Sequence, residues 1–463
     1  MASIVSTGIG SGLDIAGIVQ QLVAAEGQPV ETRLTQQEVR AQAKLSAFGS
    51  LKSALADLRD RLDTLQNQDE FLKRRAVSSD EAVFDAATTN NALPASYSLE
   101  VLALAQSQKL TSGAFADSAA TVGTGTLTVT VGTTSMDVEI TDDNNTLAGI
   151  RDAINNAIDN PGVGATIVNA DAGSYLILTG TDTGSANTIT ITQSGGDGGL
   201  AALEYDPGNG LTSLTESRAA QDARIRVDGF DAVSTSNLFE GVVQGVSITV
   251  NALTESGSET LTVENDTAAV SELVNGFVES YNELMDTLDS LTSFNVDTEI
   301  AGPLLGDSTV RSIRDQIRRE LSAAVRSEEL PFSTLSDAGV EVQLDGKLAV
   351  DETRLGNVLT SDFERFGRLF SAEDGFGTRL FALTDGFLDG DGIIETRTTG
   401  LNTQIEGIAD DRESLNERLA SLESRLLRQF NALDSLLAQL NSTSNFLAQQ
   451  LSSLPGVERP NQQ

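Results

Sequence analysis

The sequence predicts an α+β multidomain protein, with a helical coiled-coil stem formed by both chain ends and a β-rich head inserted in the middle. Two observations indicate this class. Leucine-rich heptads lie near each end of the 463 residues, and a threonine-rich segment with alternating apolar residues lies between them. In that middle segment Arg151 is the only basic residue between Leu110 and Ser217. Helices and strands segregated along the chain in this way are typical of α+β architecture.

The N-terminal segment predicts two helices with a break between them. Asp14 is placed to cap the first helix. Gly27 and Pro29 are expected to interrupt it, with Pro29 in the first turn of the second helix. The first helix presents the apolar residues Ile15, Ile18 and Leu22, and the second has a coiled-coil seam in steps of three and four: Phe48, Leu51, Leu55, Leu58, Leu62 and Leu65.

The C-terminal segment has the same spacing from Ile405 over about six heptads. Of its polar seam positions, we expect Arg412 to face water at the seam edge, whereas for Gln429 a register-fixing role and an edge position stay open. Such a seam cannot be buried by its own helix, so it needs the N-terminal helices or other subunits. Its apolar members include Leu415, Leu419, Leu422, Leu426, Leu433, Leu436 and Leu440, and its solvated flank holds Glu406, Asp410, Glu413, Glu417 and Arg418.

The middle segment predicts strands around one helix. TLTVTVGTTSMDVEIT alternates as a hairpin does, and Leu147, Ile150, Ile154 and Ile158 have helical spacing. QSGGDGGLAALEYDPGNG is expected to be an exposed, mobile loop. The predicted domains are a leg helix (1–35), a stem helix (36–75), an inner head in two parts (76–115 and 218–268), an outer β-rich head (116–217), a helical stem domain with a small β element (269–404), a second stem helix (405–447) and a tail (448–463).

Composition excludes several classes of function. A formal net charge of −37 disfavours nucleic acid and anionic membranes as partners. The chain has no cysteine, histidine or tryptophan, which removes thiol and imidazole chemistry, so we expect no enzyme activity, cofactor or metal site. DGFLDGDGIIE, from Asp385 to Glu395, resembles a calcium loop but departs from the EF-hand pattern at Ile393, and a turn between helices is the better interpretation. No membrane-spanning stretch or secretory signal is expected.

Several stretches resemble the flagellar filament cap family, also called hook-associated protein 2. They are GIGSGLDIAGIVQQLVAAEGQPVETRL at the N-terminus, SYSLEVLALAQSQKLTSGAF, RIRVDGFDAVSTSNLFEGVVQGVSITV, GPLLGDSTVRSIRDQIRREL and LSDAGVEVQLDGKLAVDETRL. They follow in the family's order and cover most of the chain. The resemblance is weakest between Gly184 and Leu214, so nothing functional is inferred there.

The resemblance implies a structural protein at the extracellular tip of the flagellum, exported by the flagellar type III apparatus without a cleaved signal peptide. It would form a small homo-oligomeric ring and contact flagellin, the hook-filament junction proteins and a dedicated export chaperone. Gly27, Pro29 and Gly400 are candidate hinges of the moving cap, or else ordinary helix ends. The first 35 and last 20 or so residues are expected to be disordered in the free subunit.

Three alternatives stay open at this point. A junction protein or a flagellin-like filament subunit would share the helical ends, and residues 223–355 distinguish them because their elements resemble the cap family alone. A tip adhesin that binds host or surface glycans through the acidic, threonine-rich head is a second class, and it can coexist with capping. A carboxylate hydrolase is the third, and no constellation of residues supports it.

Overall fold

The computed structural model describes residues 12–326 and 331–452, which divide into two compact units. The helical unit comprises Met1–Gln68 and Glu272–Gln463, and the β-rich unit comprises Asp69–Ser271. The helical unit is therefore built from both ends of the sequence, with the β-rich unit inserted between them. This confirms the predicted fold class; the finer domain limits stay predictions.

Eight α-helices lie in the described residues. They are α1 (Ile15–Leu65), α2 (Leu147–Asn156), α3 (Thr267–Thr292), α4 (Ser308–Ser322), α5 (Glu352–Phe366), α6 (Arg368–Ser371), α7 (Phe376–Leu388) and α8 (Ile393–Ser452). Short 3-10 segments span Gln68–Phe71, Gly199–Leu203 and Pro207–Asn209. No helix in residues 12–326 and 331–452 is long and apolar enough to cross a membrane.

The strands of the β-rich unit are short and antiparallel. In chain order they are β1 (Arg74–Ser78), β2 (Phe84–Thr88), β3 (Ala95–Ala103), β4 (Lys109–Thr111), β5 (Gly125–Val131), β6 (Thr134–Ile140), β7 (Val163–Ala170), β8 (Gly173–Gly180), β9 (Ile189–Ser194), β10 (Tyr205–Asp206), β11 (Leu211–Thr212), β12 (Thr215–Arg218), β13 (Ala223–Val227), β14 (Phe230–Ser234), β15 (Leu238–Val243), β16 (Val246–Val250) and β17 (Glu259–Asn265). The helical unit adds the hairpins β18 (Phe294–Asn295) with β19 (Ile300–Ala301) and β20 (Val340–Val342) with β21 (Leu348–Val350).

α1 runs without interruption through Gly27 and Pro29, so the predicted break between two N-terminal helices is wrong. Proline inside a helix removes one backbone hydrogen bond and normally costs about 3 kcal/mol. Here Val30 and Leu34 pack against α8 directly after Pro29, and that packing offsets the loss. Gly400 likewise lies within α8. The hinge roles of Gly27, Pro29 and Gly400 stay predictions, but the helix breaks on which those predictions were based are not present.

The six seam residues from Phe48 to Leu65 are at most 1% exposed. A two-helix seam would leave their edges open, so this burial is more than a coiled coil provides. α7 supplies the extra cover, because the backbone of Leu65 lies within 3.1 Å of an ideal Cβ position on Gly377. The C-terminal half of α1 therefore lies in a multi-helix core and not in the isolated coiled coil that the spacing predicts.

α3 carries seven apolar residues in the same three-four spacing, and all but Leu291 are buried: Val270, Val274, Phe277, Tyr281, Leu284 and Leu288. Phe277 of α3 packs edge-on against Phe370 of α6, with ring centroids 6.3 Å apart. The Tyr281 hydroxyl donates to the Gly346 carbonyl at 2.9 Å, which fastens the β20–β21 hairpin to α3. This core holds the helical unit together around α1.

The β-rich unit has two hydrophobic cores. The inner core lies between the five-stranded sheet β1-β17-β3-β13-β14 and the three-stranded sheet β15-β16-β2, and includes Phe84, Ile225 and Ile248. The outer core lies between the sheets β11-β10-β9-β5-β6 and β12-β4-β8-β7, with α2 packed on β6 and β7. The chain passes between the two cores at Gln106 and Gln221, whose backbones exchange hydrogen bonds of 2.8 and 3.0 Å.

Two sequence predictions for the outer core are wrong. Leu200, Leu203 and Tyr205, from the segment expected to be a mobile loop, are buried in this core. The glycines around them allow tight turns: a Cβ on Gly196 would lie 1.7 Å from the Thr124 carbonyl oxygen. α2 contributes Leu147, Ile150 and Ile154, but it ends at Asn156, so Ile158 is fully exposed.

Candidate assembly surface

α1 and α8 pack side by side in opposite directions. Near the start of α1, Gly27 contacts Leu419 of α8, and further along α1 the Phe48 ring lies 5.6 Å from the Arg397 guanidinium. Leu34, Ile408 and Leu415 are buried between the helices, with the partly buried Leu419 beside them. The predicted pairing of the two chain ends is thus confirmed.

Gly27 allows the close approach of the two helices. A Cβ added there would lie 2.6 Å from Leu419 Cδ1, a distance that real side chains do not adopt. Glycine in a helix costs about 1 kcal/mol relative to alanine. Its position here is explained by this contact and not by a break in the helix.

Arg412 joins the two helices at the level of this cluster. Its guanidinium donates to Glu31 through Nε and to Glu38 through Nη2, each at 2.9 Å. The side chain is 30% exposed. Arg412 therefore lies at the seam edge as predicted, but it pairs across the seam and does not merely face water. A register-fixing role follows from this geometry, because both carboxylates belong to α1.

The predicted residues of the N-terminal stripe differ in their surroundings. Ile15 is 2% exposed and Ile18 is half-buried, whereas Leu22 is 46% exposed. Val19, on the same apolar side of the helix, is 1% exposed.

α8 extends beyond the start of α1. Because Gly27 faces Leu419 and Phe48 faces Arg397, Ile15 lies opposite the region of Asn431. α8 continues from there to Ser452. In the described residues nothing of α1 is left to cover this last part of α8, which we call the overhang (residues 433–452).

The overhang keeps its apolar heptads although they are open to solvent. Leu422 and Leu426, before it, are half-buried, but the predicted seam residues Leu433, Leu436 and Leu440 are 53–57% exposed. Phe446, Leu447 and Leu451 continue the exposed apolar surface. Asp434 is the only charged residue in the overhang. Exposed apolar stripes of this kind mark interaction surfaces.

The remaining polar seam positions contribute nothing to the α1–α8 contact. Gln429 is exposed, which favours the edge position over the register-fixing role. Thr443 is also exposed, and its hydroxyl donates to the Gln439 carbonyl of its own helix. Residues 1–11 and 453–463 lie outside the described residues, and so do the parts of the disorder prediction that concern them.

The acidic segment from Asp385 to Glu395 is a turn between α7 and α8, as the sequence favours. Asp385 lies 3.8 Å from the Arg59 guanidinium, and Asp389 accepts a hydrogen bond from the Gly390 N–H. Across residues 12–326 and 331–452, no group of three or more acidic side chains is placed to hold a metal ion.

Comparison with known proteins identifies the family. Two family models match, the flagellar hook-associated protein 2 N-terminus over residues 11–108 and the C-terminus over residues 220–442. The A-type flagellar hook-associated protein 2 of Pseudomonas aeruginosa is 35% identical over 469 residues, which cover 97% of this chain and 98% of the relative. The chain belongs to the flagellar hook-associated protein 2 family.

Other members of the hook-associated protein 2 family agree with this result. The protein of Escherichia coli K12 is 34% identical and covers 97% of this chain and 98% of its own length. The crystal structure of the D1-D2-D3 domains of the E. coli flagellar cap protein FliD superposes with a TM-score of 0.65 at 34% identity, covering 77% of this chain and 99% of that one. The resemblance noted in the sequence is confirmed, and the chain is a flagellar filament cap protein, whose place is the extracellular tip of the flagellum.

The family models leave residues 109–219 unmatched. That gap holds the outer core of the β-rich unit, which begins at Leu110 and ends at Leu214. The two family models therefore match parts of the helical unit and of the inner core, and the outer core lies outside both matches.

Proposed function

We propose that the protein caps the distal end of the growing filament as a small ring of identical subunits, which retains exported flagellin and promotes its folding and polymerisation. The observation that supports this function is the overhang of α8. It is a helix more than four turns long with an apolar stripe and a single charge, and in the described residues its stripe is uncovered.

The overhang contributes more favourable free energy in an assembly than in a free subunit. Burial of a half-exposed leucine gains about 1 kcal/mol, so the six exposed apolar side chains could contribute several kcal/mol to a contact with neighbouring helices. An isolated helical extension of this length is marginal in water. We infer that the overhang becomes ordered among the helical ends of neighbouring subunits at the filament tip, including flagellin and the hook-filament junction proteins.

Deletion of the gene tests the function directly. The expected result is secreted, unpolymerised flagellin in the medium and short or absent filaments. Full-length filaments in the deletion strain would contradict the capping function and would favour the alternatives of a tip adhesin without an assembly role or a minor filament subunit.

Complementation with a variant of the overhang tests the observation that supports the function. The variant Leu433→Glu, Leu436→Glu, Leu440→Glu places three charges on the apolar stripe. The matched control Ser435→Glu, Ala438→Glu, Asn445→Glu adds the same charge to the opposite face of the same helix, since those positions lie at least 100° away from the three leucines at about 100° per residue. We expect filaments with the control and leaked flagellin with the stripe variant. Equal filaments with both would contradict the role of the stripe.

Adhesion to glycans through the outer core stays a prediction. The hydrogen-bonded pair Gln106 and Gln221 offers a clean site for excision, because hydrogen-bonded antiparallel partners lie about 5.5 Å apart. Deletion of residues 107–220 with a short glycine linker removes the outer core and leaves the inner core intact. Binding of bacteria to mucin-coated surfaces should fall while filament growth continues; unchanged binding would refute the adhesion role.

Export by the flagellar type III apparatus, with a dedicated chaperone, completes the proposal. It accounts for the expectation of no cleaved signal peptide. Loss of the protein from the medium in a strain with a defective flagellar export gate is the expected result. Continued secretion in that strain would mean another route.

A further inference from the structure

The paired part of α1 and α8 carries two exposed stripes of opposite charge. The basic stripe on α1 consists of Arg33, Gln37, Arg40 and Lys44. The acidic stripe on α8 consists of Glu406, Asp410, Glu413 and Glu417. All eight side chains are exposed, and none of the seven charged ones forms an ion pair within the described residues.

The lack of ion pairs distinguishes these residues from their neighbours. Between the stripes, Arg412 forms two ion pairs with α1. Further along α1, Lys52 pairs with Glu395 at 3.2 Å and Arg59 pairs with Asp60 at 2.9 Å. In the described residues Arg33, Arg40 and Lys44 thus remain available to acidic side chains of another molecule.

The two stripes have the same dimensions. In each, the four residues follow at steps of four, three and four, so each stripe is straight and about 16 Å long at 1.5 Å per residue. Arg40 lies at the level of Glu406, because the antiparallel contact sets Gly27 opposite Leu419 and Phe48 opposite Arg397. The stripes thus overlap in height along the helix pair.

The stripes lie on different faces and so cannot satisfy each other within one chain. At 100° per residue, the basic stripe is about 85° from the buried seam of α1, and the acidic stripe is about 150° from the buried seam of α8. The basic stripe borders a groove of about 390 Å³, whose lining includes Arg40, Lys44, Pro303 and Gln404. This groove can receive carboxylate side chains that project from another helix.

We propose that the basic stripe of one copy binds the acidic stripe of a second copy of this chain. The contact is head-to-tail, because it uses two different surfaces of the same molecule. A head-to-tail contact closes into a ring when its rotation closes and it needs little displacement along the axis. Without displacement Arg33 lies level with Glu413 and Arg40 with Glu406, while Lys44 and Glu417 extend beyond the overlap. The inference rests on the proposed ring and assigns one of its subunit interfaces.

Charge reversal tests this interface. The basic-stripe variant is Arg33→Glu, Arg40→Glu, Lys44→Glu, and the acidic-stripe variant is Glu406→Lys, Glu413→Lys, Glu417→Lys. Each alone should raise the dissociation constant for self-association about tenfold or more, measured by sedimentation velocity on the full chain. The six-fold variant should assemble as the wild type does, because its two reversed stripes again have opposite charges. An equal mixture of the two triple variants should associate in alternation, and it closes only rings with an even number of subunits.

A control separates the interface from the overall charge. Glu272→Lys, Glu279→Lys, Glu283→Lys changes the net charge as the acidic-stripe variant does, but on exposed positions of α3. It should leave self-association unchanged. Helicity and the midpoint of thermal unfolding should match the wild type for all variants, since the reversed side chains form no ion pair within residues 12–326 and 331–452. Assembly that survives both triple reversals, or that the six-fold variant fails to restore, would overturn the inference.

Cross-linking gives a second test that does not require assembly in dilute solution. The chain has no cysteine, so two single-cysteine variants, Arg40→Cys and Glu406→Cys, can be co-expressed in bacteria that build flagella. We expect a disulfide-linked dimer under oxidation when both are present, and little when either is alone. Absence of the dimer on complete filaments, or a link to flagellin in its place, would overturn this interface while capping itself, measured by retained flagellin, would still stand.

Discussion

The part of α8 that packs on α1 and the overhang carry the same heptad repeat, but the first is covered by another helix and the second is open to solvent. Ile408 and Leu415 are buried against α1, whereas Leu433 and Leu440 are more than half exposed. The apolar heptad pattern is equally strong in both parts of α8. The difference is that α1 begins at Ile15 and so covers α8 only as far as about Asn431. A heptad therefore specifies that a partner helix is needed, and the geometry of the fold decides whether that partner belongs to the same chain.

The largest expected effect is the difference in unfolding free energy between a substitution in the helical core and one in the overhang. Phe48→Ala removes a ring that is 0% exposed and should lower the free energy of unfolding by about 3–5 kcal/mol. Leu436→Ala removes a side chain that is 57% exposed and should change it by less than about 0.5 kcal/mol in the free subunit. Urea unfolding followed by circular dichroism measures both. A loss of several kcal/mol for Leu436→Ala would mean that the overhang is packed within the monomer.

A second prediction concerns the close approach of the helices at Gly27. Gly27→Leu inserts a branched side chain where even a Cβ lies 2.6 Å from Leu419, and should cost about 1–3 kcal/mol. Gly27→Ala is the control. The Leu419 tip can rotate away, and alanine gains about 1 kcal/mol of helix propensity, so its net effect should be near zero. Equal stability of the leucine variant and the wild type, in the same urea experiment, would contradict the observed contact.

A third prediction uses pH to probe the fastening of α4 to the packed half of α8. Burial acts to raise the pKa of Asp307, but the Thr309 N–H and the Arg397 guanidinium donate to its carboxylate and hold that pKa below the usual value. A lowered pKa in the folded state stabilises the protein above the unfolded pKa of about 3.9, and this stabilisation is lost as the pH falls through the folded pKa.

Asp307→Asn should therefore be less stable than the wild type at pH 7, and the difference should shrink as the pH is lowered below about 4. Thermal unfolding between pH 7 and pH 3 measures it. A difference that stays constant over this range would show that Asp307 acts through its shape alone. Asp315→Asn, on an exposed position of α4, is the control and should show no such trend.

The smallest effect is expected at Arg412. Arg412→Met keeps most of the side-chain volume but removes both ion pairs with α1, so it should lower stability slightly at low ionic strength. The difference from the wild type should fall in 1 M NaCl, where the screening length is about 3 Å. Arg418→Met, an exposed arginine outside the pairing, should have no effect at either salt concentration. Identical behaviour of the two variants would remove the register-fixing role.

Sequence reasoning recovered the features that depend on periodicity. The seams at Phe48–Leu65 and Ile405–Leu426 follow from apolar residues that recur with the helical period, and the inserted strands follow from alternation. Periodicity does not identify which helix covers each seam. The core around Phe48 includes α7 because residues far apart in sequence meet there, and no local pattern encodes that contact.

The errors lie where packing overrides local preference. Proline and glycine usually end a helix, but Pro29 lies beside Val30 and Leu34, whose contacts with α8 hold the helix together. A glycine-rich segment usually indicates a loop, but Leu200 and Leu203 provide enough apolar area to fold it onto the outer core. The acidic stripe belongs to a flank that the sequence already indicates as solvated. Its overlap in height with the basic stripe becomes visible only when the antiparallel register of α1 and α8 is known.

Amide hydrogen exchange along α8 tests the central claim most directly. The full-length chain is compared as a dilute subunit and within assembled caps on purified flagella. We predict that residues 393–426 are protected in both states and that residues 433–452 are protected only in the assembled caps. Strong protection of residues 433–452 in the dilute subunit would contradict the claim that the overhang is covered only by other subunits of the assembly.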